Sequence, residues 1–270
     1  MSNSTQAGQH VKRLERAKAY WQSPAGKALW EAQRACLGPY IEETRGEHGL
    51  EMALGASPLS LSPLRHKIQW APTPSCADSP SALVCPAEAW ALPDRCLDTV
   101  ILHHWLEELS TPRDTLEEAA RTCADHGRLV IVGFNPLGLL APLRRWSKQR
   151  TRYPLSGNWL SVACLTKWLA FVDFEIERVD YCGFRRPGTS VIHPQWETLG
   201  RRYNLALGEC YVIQAKRQRE TAQIKQLRFK LDVPNGPRSS LGVTRSGSSP
   251  GSCRTDSNRT GSPRADANSK

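Results

Sequence analysis

The chain of 270 residues has nowhere eighteen consecutive apolar residues, so it contains no segment long enough to span a bilayer as a helix. Its opening, MSNSTQAGQHVKRLERAK, has no apolar stretch, which excludes a secretory leader in that position. The nine cysteines are odd in number and include no CxxC pair. Cys85, Cys123, Cys164 and Cys210 fall inside expected strands and helices, which fits buried reduced thiols of an intracellular protein and argues against disulfides or a zinc site. HExxH, P-loop and EF-hand patterns are also missing, so no metal site is expected. These absences leave a soluble, cytoplasmic globular protein, and 40% hydrophobic residues suffice for one sizeable core.

Charge is unevenly placed. Residues 1–215 carry 24 Lys and Arg against 22 Asp and Glu, whereas residues 216–270 carry 12 against 4. From Asn235 onward the chain is rich in Ser, Gly, Arg and Asn and has no aromatic residue, too little apolar surface to offset the entropy of ordering. Residues 231–270 therefore read as a disordered basic tail. Dispersed cations of this kind give weak, nonspecific attraction to nucleic acid, without interleaved aromatics to stack on bases.

The densest information lies in residues 87–134. Thr99-Val100-Ile101-Leu102 is an apolar run too short for a helix and reads as a buried parallel strand, with His103 and His104 at its carboxyl end. From Pro112 the spacing becomes helical, with Leu116, Ala119, Ala120 and Cys123 on one face and Arg113, Asp114, Glu117, Glu118 and Arg121 on the other. Gly127 is expected to end that helix in a left-handed conformation, and residues 128–134 form the next strand. Further strands are expected at 49–54, 67–70, 82–85, 174–179 and 209–215, with a helix around 161–171. Upstream, Ser23 caps and Pro24 opens a helix reaching Ile41, with Leu29, Trp30, Gln33 and Leu37 near helical spacing.

The register Ala87-Glu88-Ala89-Trp90-Ala91-Leu92-Pro93-Asp94-Arg95-Cys96-Leu97-Asp98, followed by His104-Trp105-Leu106-Glu107-Glu108, resembles class I S-adenosylmethionine (SAM) methyltransferases of type 11. In that family AEALPFPDxSFD precedes the fourth strand and HxLEH follows it. Gly133-Phe134-Asn135-Pro136-Leu137-Gly138 is similar to a smaller bacterial branch of methyltransferase-like proteins with a degenerate glycine motif. The resemblance covers roughly residues 20–230. It implies an α/β, doubly wound, mostly parallel seven-stranded Rossmann-like sheet, with a helical flank at 1–45, the methyltransferase-like domain at 46–230 and the tail at 231–270.

Carried onto this chain, the resemblance makes Glu51 the acidic residue of the first strand, and Leu54 and Gly55 the turn against the donor. Ala87 and Glu88 would lie beside the adenine, and His103 and His104 would shape the cofactor pocket, with a general-base role open to either if the acceptor is protonated. The pattern is incomplete in three places. Gly55 stands alone, with no second or third glycine after the strand. Residues 69–74 offer no carboxylate for the ribose hydroxyls, and Pro86 stands where an Asp would accept from the adenine amino group.

Two insertions are expected at the substrate side. Residues 135–157 carry Arg144, Arg145, Trp146, Lys148, Arg150, Arg152 and Tyr153, suited to an anionic or nucleotide-like molecule or simply solvated. Residues 183–207 carry Arg185, Arg186, His193, Arg201 and Arg202 and would form a second wall. The expected function is methyl transfer from SAM to a small-molecule or nucleic-acid acceptor. The alternatives are an inactive methyltransferase-like binding or scaffold protein, and an RNA- or DNA-associated factor.

Overall fold

The computed structural model describes residues 12, 14–77, 79–139, 141, 142, 154, 157–185 and 191–218. Seven strands form one sheet: β1 (His48–Ala53), β2 (His66–Ala71), β3 (Ala82–Val84), β4 (Leu97–His103), β5 (Cys123–Phe134), β6 (Phe174–Cys182) and β7 (Cys210–Arg217). Their order is β3-β2-β1-β4-β5-β7-β6, parallel throughout except that β7 runs antiparallel to both β5 and β6. The strand order reverses between β1 and β4, which sit side by side with Ala53 opposite His103. Such a switch point opens a crevice at the carboxyl ends of the strands.

The sequence forms these elements for identifiable reasons. Val100, Ile101 and Leu102 are fully buried, as expected for a central parallel strand covered on both faces. Each such side chain contributes about 1.5–3 kcal/mol of apolar burial. Helix α1 covers residues 14–22. Helix α2 (Pro24–Glu42) begins where expected: the Ser23 hydroxyl accepts from Gly26 N at 3.2 Å, and Pro24 contributes no orphan N–H. Leu14, Ala17 and Trp21 of α1 and Leu29 and Leu37 of α2 join the core of the sheet. Between β1 and β2 the chain makes only a 3₁₀ turn, Pro58–Leu61, in place of a crossover helix. The short, proline-punctuated segment leaves no room for more.

Helix α3 (Pro112–Thr122) connects β4 to β5, α4 (Val162–Phe171) precedes β6, and α5 (Pro194–Arg202) lies between β6 and β7. One expectation fails at the end of α3. Gly127 does not cap the helix; α3 stops at Thr122, Cys123 is already extended, and Gly127 lies inside β5, outside the left-handed region. Its missing side chain serves close approach instead, since a Cβ there would meet Cys123 Sγ at 2.5 Å and Leu97 O at 2.9 Å. The β4–β5 register shifts at this point, between Leu97 and Thr99.

The eight cysteines among the described residues are all free. Among the described residues no helix is long and apolar enough to cross a membrane, and no group of three His, Cys, Asp or Glu side chains is placed to hold a metal. The expected tail, residues 231–270, the basic residues of 143–153 and Arg186 lie outside the described residues.

Candidate active site at the carboxyl edge of the sheet

His103 ends β4 and His104 follows it with φ of +59°, a left-handed conformation that costs a non-glycine residue about 1–2 kcal/mol. Two backbone bonds fix the position: His103 O accepts from Leu54 N at 3.2 Å, and His104 N donates to Val132 O at 2.9 Å. Both rings are buried, at 0% and 1% exposure. A single amide holds them. Gln33 of α2, itself buried, places Oε1 at 2.9 Å from His103 Nε2 and Nε2 at 2.9 Å from His104 Nε2.

These contacts settle the tautomers. His104 Nδ1 lies 3.3 Å from the Glu107 carboxylate and so carries the proton, leaving Nε2 to accept from the Gln33 amide. His103 Nε2 then donates to Gln33 Oε1. Gln33 Nε2 also lies 3.2 Å from Cys210 Sγ, a weak acceptor. His103 Nδ1 has no hydrogen-bond partner among the described residues. Burial pushes the conjugate acid of His104 down to about 3, and burial together with the neighbouring His104 pushes His103 well below its ordinary value. Both imidazoles are neutral near pH 7, and neither is poised to take up a proton there.

Glu51 is 2% exposed and accepts from Ser57 Oγ at 2.5 Å, Leu59 N at 2.7 Å and Gln69 Nε2 at 3.0 Å. Its carboxylate therefore ties the loop after β1 to the sheet. In that loop Gly55 has φ of +101°, which disfavours any residue with a side chain. A Cβ on Gly55 would also lie 2.3 Å from Trp21 Cδ1. The Trp21 indole packs on this turn from α1, with its ring centroid 5.3 Å from those of both His103 and His104.

The cavity beside the turn, at the ends of β1 and β2, is only about 70 Å³ and is lined by Gly55, Ser57, Gln69, Trp70, Trp105 and Lys18, among others. A second hollow of about 390 Å³ lies against Trp21, Trp30 and Gly55, and Lys18 and Gly55 border both. Sites for small molecules run to roughly 300–1,000 Å³. With α1 as it stands, the Trp21 indole fills the space that a Cβ on Gly55 would take.

The expected site residues separate into two groups. Gly55, His103 and His104 come together around Trp21, and Glu51 borders the small cavity beside Gly55. Leu54 is fully buried, Ala87 is buried with its carbonyl accepting from Trp90 Nε1 at 2.9 Å, and Glu88 points to solvent. Neither Ala87 nor Glu88 borders the cavity, whose far wall is Cys76, Ala77 and Ala82. In the second insertion Arg185 is not available to a ligand as a free charge. It forms a buried two-pronged ion pair with Glu209, and its Nη2 donates to Tyr20 Oη at 3.1 Å. Burial pushes Glu209 upward, and Arg185 opposes that rise.

Gln33 and Trp105 were not legible as site residues. Gln33 carried one signal, a polar side chain in the apolar stripe of α2 between Leu29 and Leu37.

Residues 49–131 match the family model described as a methyltransferase domain. The chain is 25% identical over 161 residues to the uncharacterized protein YafS of Escherichia coli, covering 57% of this chain and 63% of that protein. It is thus aligned with less than two thirds of that relative's length. Among solved structures it is similar to a SAM-dependent methyltransferase of Thermotoga maritima, described as a possible histamine N-methyltransferase. The TM-score is 0.59 at 18% identity, over 79% of this chain and 99% of that one. A SAM-dependent methyltransferase of Archaeoglobus fulgidus superposes with a TM-score of 0.51 at 16% identity, over 74% and 97% of the two chains. Residues 49–131 are accordingly a methyltransferase domain of type 11, and the described chain has the fold of the SAM-dependent methyltransferases.

Proposed function

We propose that this protein transfers a methyl group from SAM to an acceptor at the carboxyl edge of β4, β5 and β6, and that α1 is the lid over the donor. The observation that carries the reading is the Gly55 turn. A glycine at positive φ, in a loop held down by Glu51 and facing the Trp21 indole, is a seat suited to something lying against bare backbone. With Trp21 swung away, the two hollows bordered by Lys18 and Gly55 join into one cleft of small-molecule size.

When bound, SAM supplies an electrophilic methyl on a sulfonium. The chain's share is positioning and exclusion of water. Gly55 and Ser57 would take the amino-acid end of the donor, and Trp70 and Trp105 would flank its base. Gln69 stands in for the absent ribose acid, since a neutral amide can also accept from a hydroxyl. His103 and His104 form the floor, and their neutral, amide-clamped state suits a shaping role rather than proton transfer. Acceptors that need no strong base, or that arrive deprotonated, fit this floor.

A second reading, a methyltransferase-like binding protein without a donor, is favoured by Ala71-Pro72 and Pro86, which leave the ends of β2 and β3 without a carboxylate. The nucleic-acid reading rests on the basic tail, outside the described residues. Irradiating the protein with methyl-labelled SAM and mapping tryptic peptides separates the first two. Label is expected in the peptides covering residues 46–65 and 68–95, which hold Gly55 and Trp70. Label elsewhere, or none, sinks the enzyme reading.

A further inference from the structure

Where β5 and β6 end and β7 begins, the chain surrounds an apolar hollow of about 740 Å³, lined chiefly by Leu139, Phe184, Val191, Trp196, Leu199 and Leu207. The strands fix its place. Leu139 lies five residues beyond β5, Phe184 two beyond β6, and Leu207 three before β7, which is antiparallel to both. All three therefore lie on the carboxyl edge, the side on which Gly55 and the two histidines lie. Leu139 N donates to Leu207 O at 3.1 Å and pins one wall. Val191, Trp196, Leu199 and Leu207 are each about half exposed or more, an arrangement that costs free energy in water unless something covers it.

We infer that this hollow is the acceptor pocket and that it takes a neutral, apolar small molecule. The inference rests on the methyltransferase reading for the word acceptor, and on the geometry for the class of molecule. The volume is that of a small-molecule site. Among the described residues its one lining Lys or Arg, Arg185, is already neutralised by Glu209, so the wall they form offers no net charge to an anionic or nucleotide-like ligand. The basic side chains of α5, Arg201 and Arg202, line a different cleft with Tyr40 and Arg178, and Arg201 Nη2 donates to Ala35 O at 2.9 Å. An anionic membrane surface would need such cations around the apolar rim. At nine residues α5 is about 13 Å long, too short to present a long groove to a partner helix.

The hollow also touches the lid. Arg185 lines it, bonds to Tyr20, and Tyr20 stacks edge-on against Trp21 at 5.3 Å. Acceptor pocket and donor seat thus share the wall Arg185–Tyr20–Trp21.

The test titrates the full chain with phenylnaphthylamine, a neutral fluorophore that brightens in apolar surroundings, and displaces it with decanol or decanoate. Saturable one-to-one binding is expected, displaced more strongly by neutral decanol than by decanoate. Leu199→Glu and Leu207→Glu should each weaken it at least tenfold while leaving the melting temperature unchanged, because both side chains are about half exposed. Phe171→Glu, exposed and remote from the hollow, should bind as the parent does. Non-saturating binding, equal affinity in all variants, or preference for decanoate would overturn the inference. Binding to phosphatidylcholine vesicles with no uptake of the soluble probe would overturn it in favour of a membrane contact. No donor is present, so a chain that binds SAM but not the probe defeats this inference alone, and one that binds the probe but not SAM defeats the methyltransferase reading alone.

Discussion

Replacing Trp21 by Ala should make the protein bind the donor more tightly. Trp21 is 6% exposed and rests on Gly55, His103 and His104. Truncating a buried Trp to Ala costs roughly 3–5 kcal/mol. If α1 lifts for the donor to enter, that energy is lost from the closed state and not from the open one, so the mutation shifts the chain toward the open form. Apparent affinity scales with the fraction that is binding-competent. At about 1.4 kcal/mol per factor of ten, even the lower figure allows a gain of somewhat over 100-fold, reached only if the open form is rare in the parent. S-adenosylhomocysteine titrated by calorimetry into parent and variant reads the ratio directly. Tightening by tenfold or more is expected, together with a lower melting temperature without ligand. Unchanged or weaker binding would refute the lid and make the indole a fixed wall of the site.

Two other perturbations probe the floor beneath that lid. Gln33→Leu removes the amide that satisfies His103 Nε2 and His104 Nε2, leaving two buried polar atoms unpaired. A loss of roughly 1–3 kcal/mol per stranded group, read by urea denaturation, is expected, and a loss within error of zero contradicts the assigned network. The histidines also give stability a pH dependence. Their folded values lie below the unfolded one, so the unfolded chain binds more protons between the two. Their contribution is complete above the ordinary histidine value near 6.5 and is lost as pH falls from there toward about 3. The melting temperature should drop between pH 7 and pH 5, and less steeply in His103→Phe; a flat profile in the parent would count against sealed neutral rings.

The sequence disclosed those features that depend on local pattern. The run Thr99–Leu102, the cap at Ser23-Pro24 and the proline-broken segment after Gly55 each dictated an element by chemistry acting over a few residues. Gly127 misled because a glycine after a helix has two uses, left-handed closure and close approach, and only the partner strand with Leu97 decides between them. Site residues divided the same way. Glu51, Gly55, His103 and His104 sit at strand ends, where order along the chain predicts proximity. Gln33 reaches the histidines across 70 or more residues through the packing of α2, which no local pattern encodes. Ala87 and Glu88 were placed by resemblance alone, and neither borders the cavity.

Titration of SAM and S-adenosylhomocysteine into the full chain by calorimetry, beside a Gly55→Arg variant of unchanged far-ultraviolet dichroism, tests the central claim most directly. The account predicts micromolar binding to the parent, lost in the variant because the new side chain fills the seat against the turn. No heat and no thermal shift with either ligand up to millimolar concentration would contradict it, leaving a chain that has the fold without the donor.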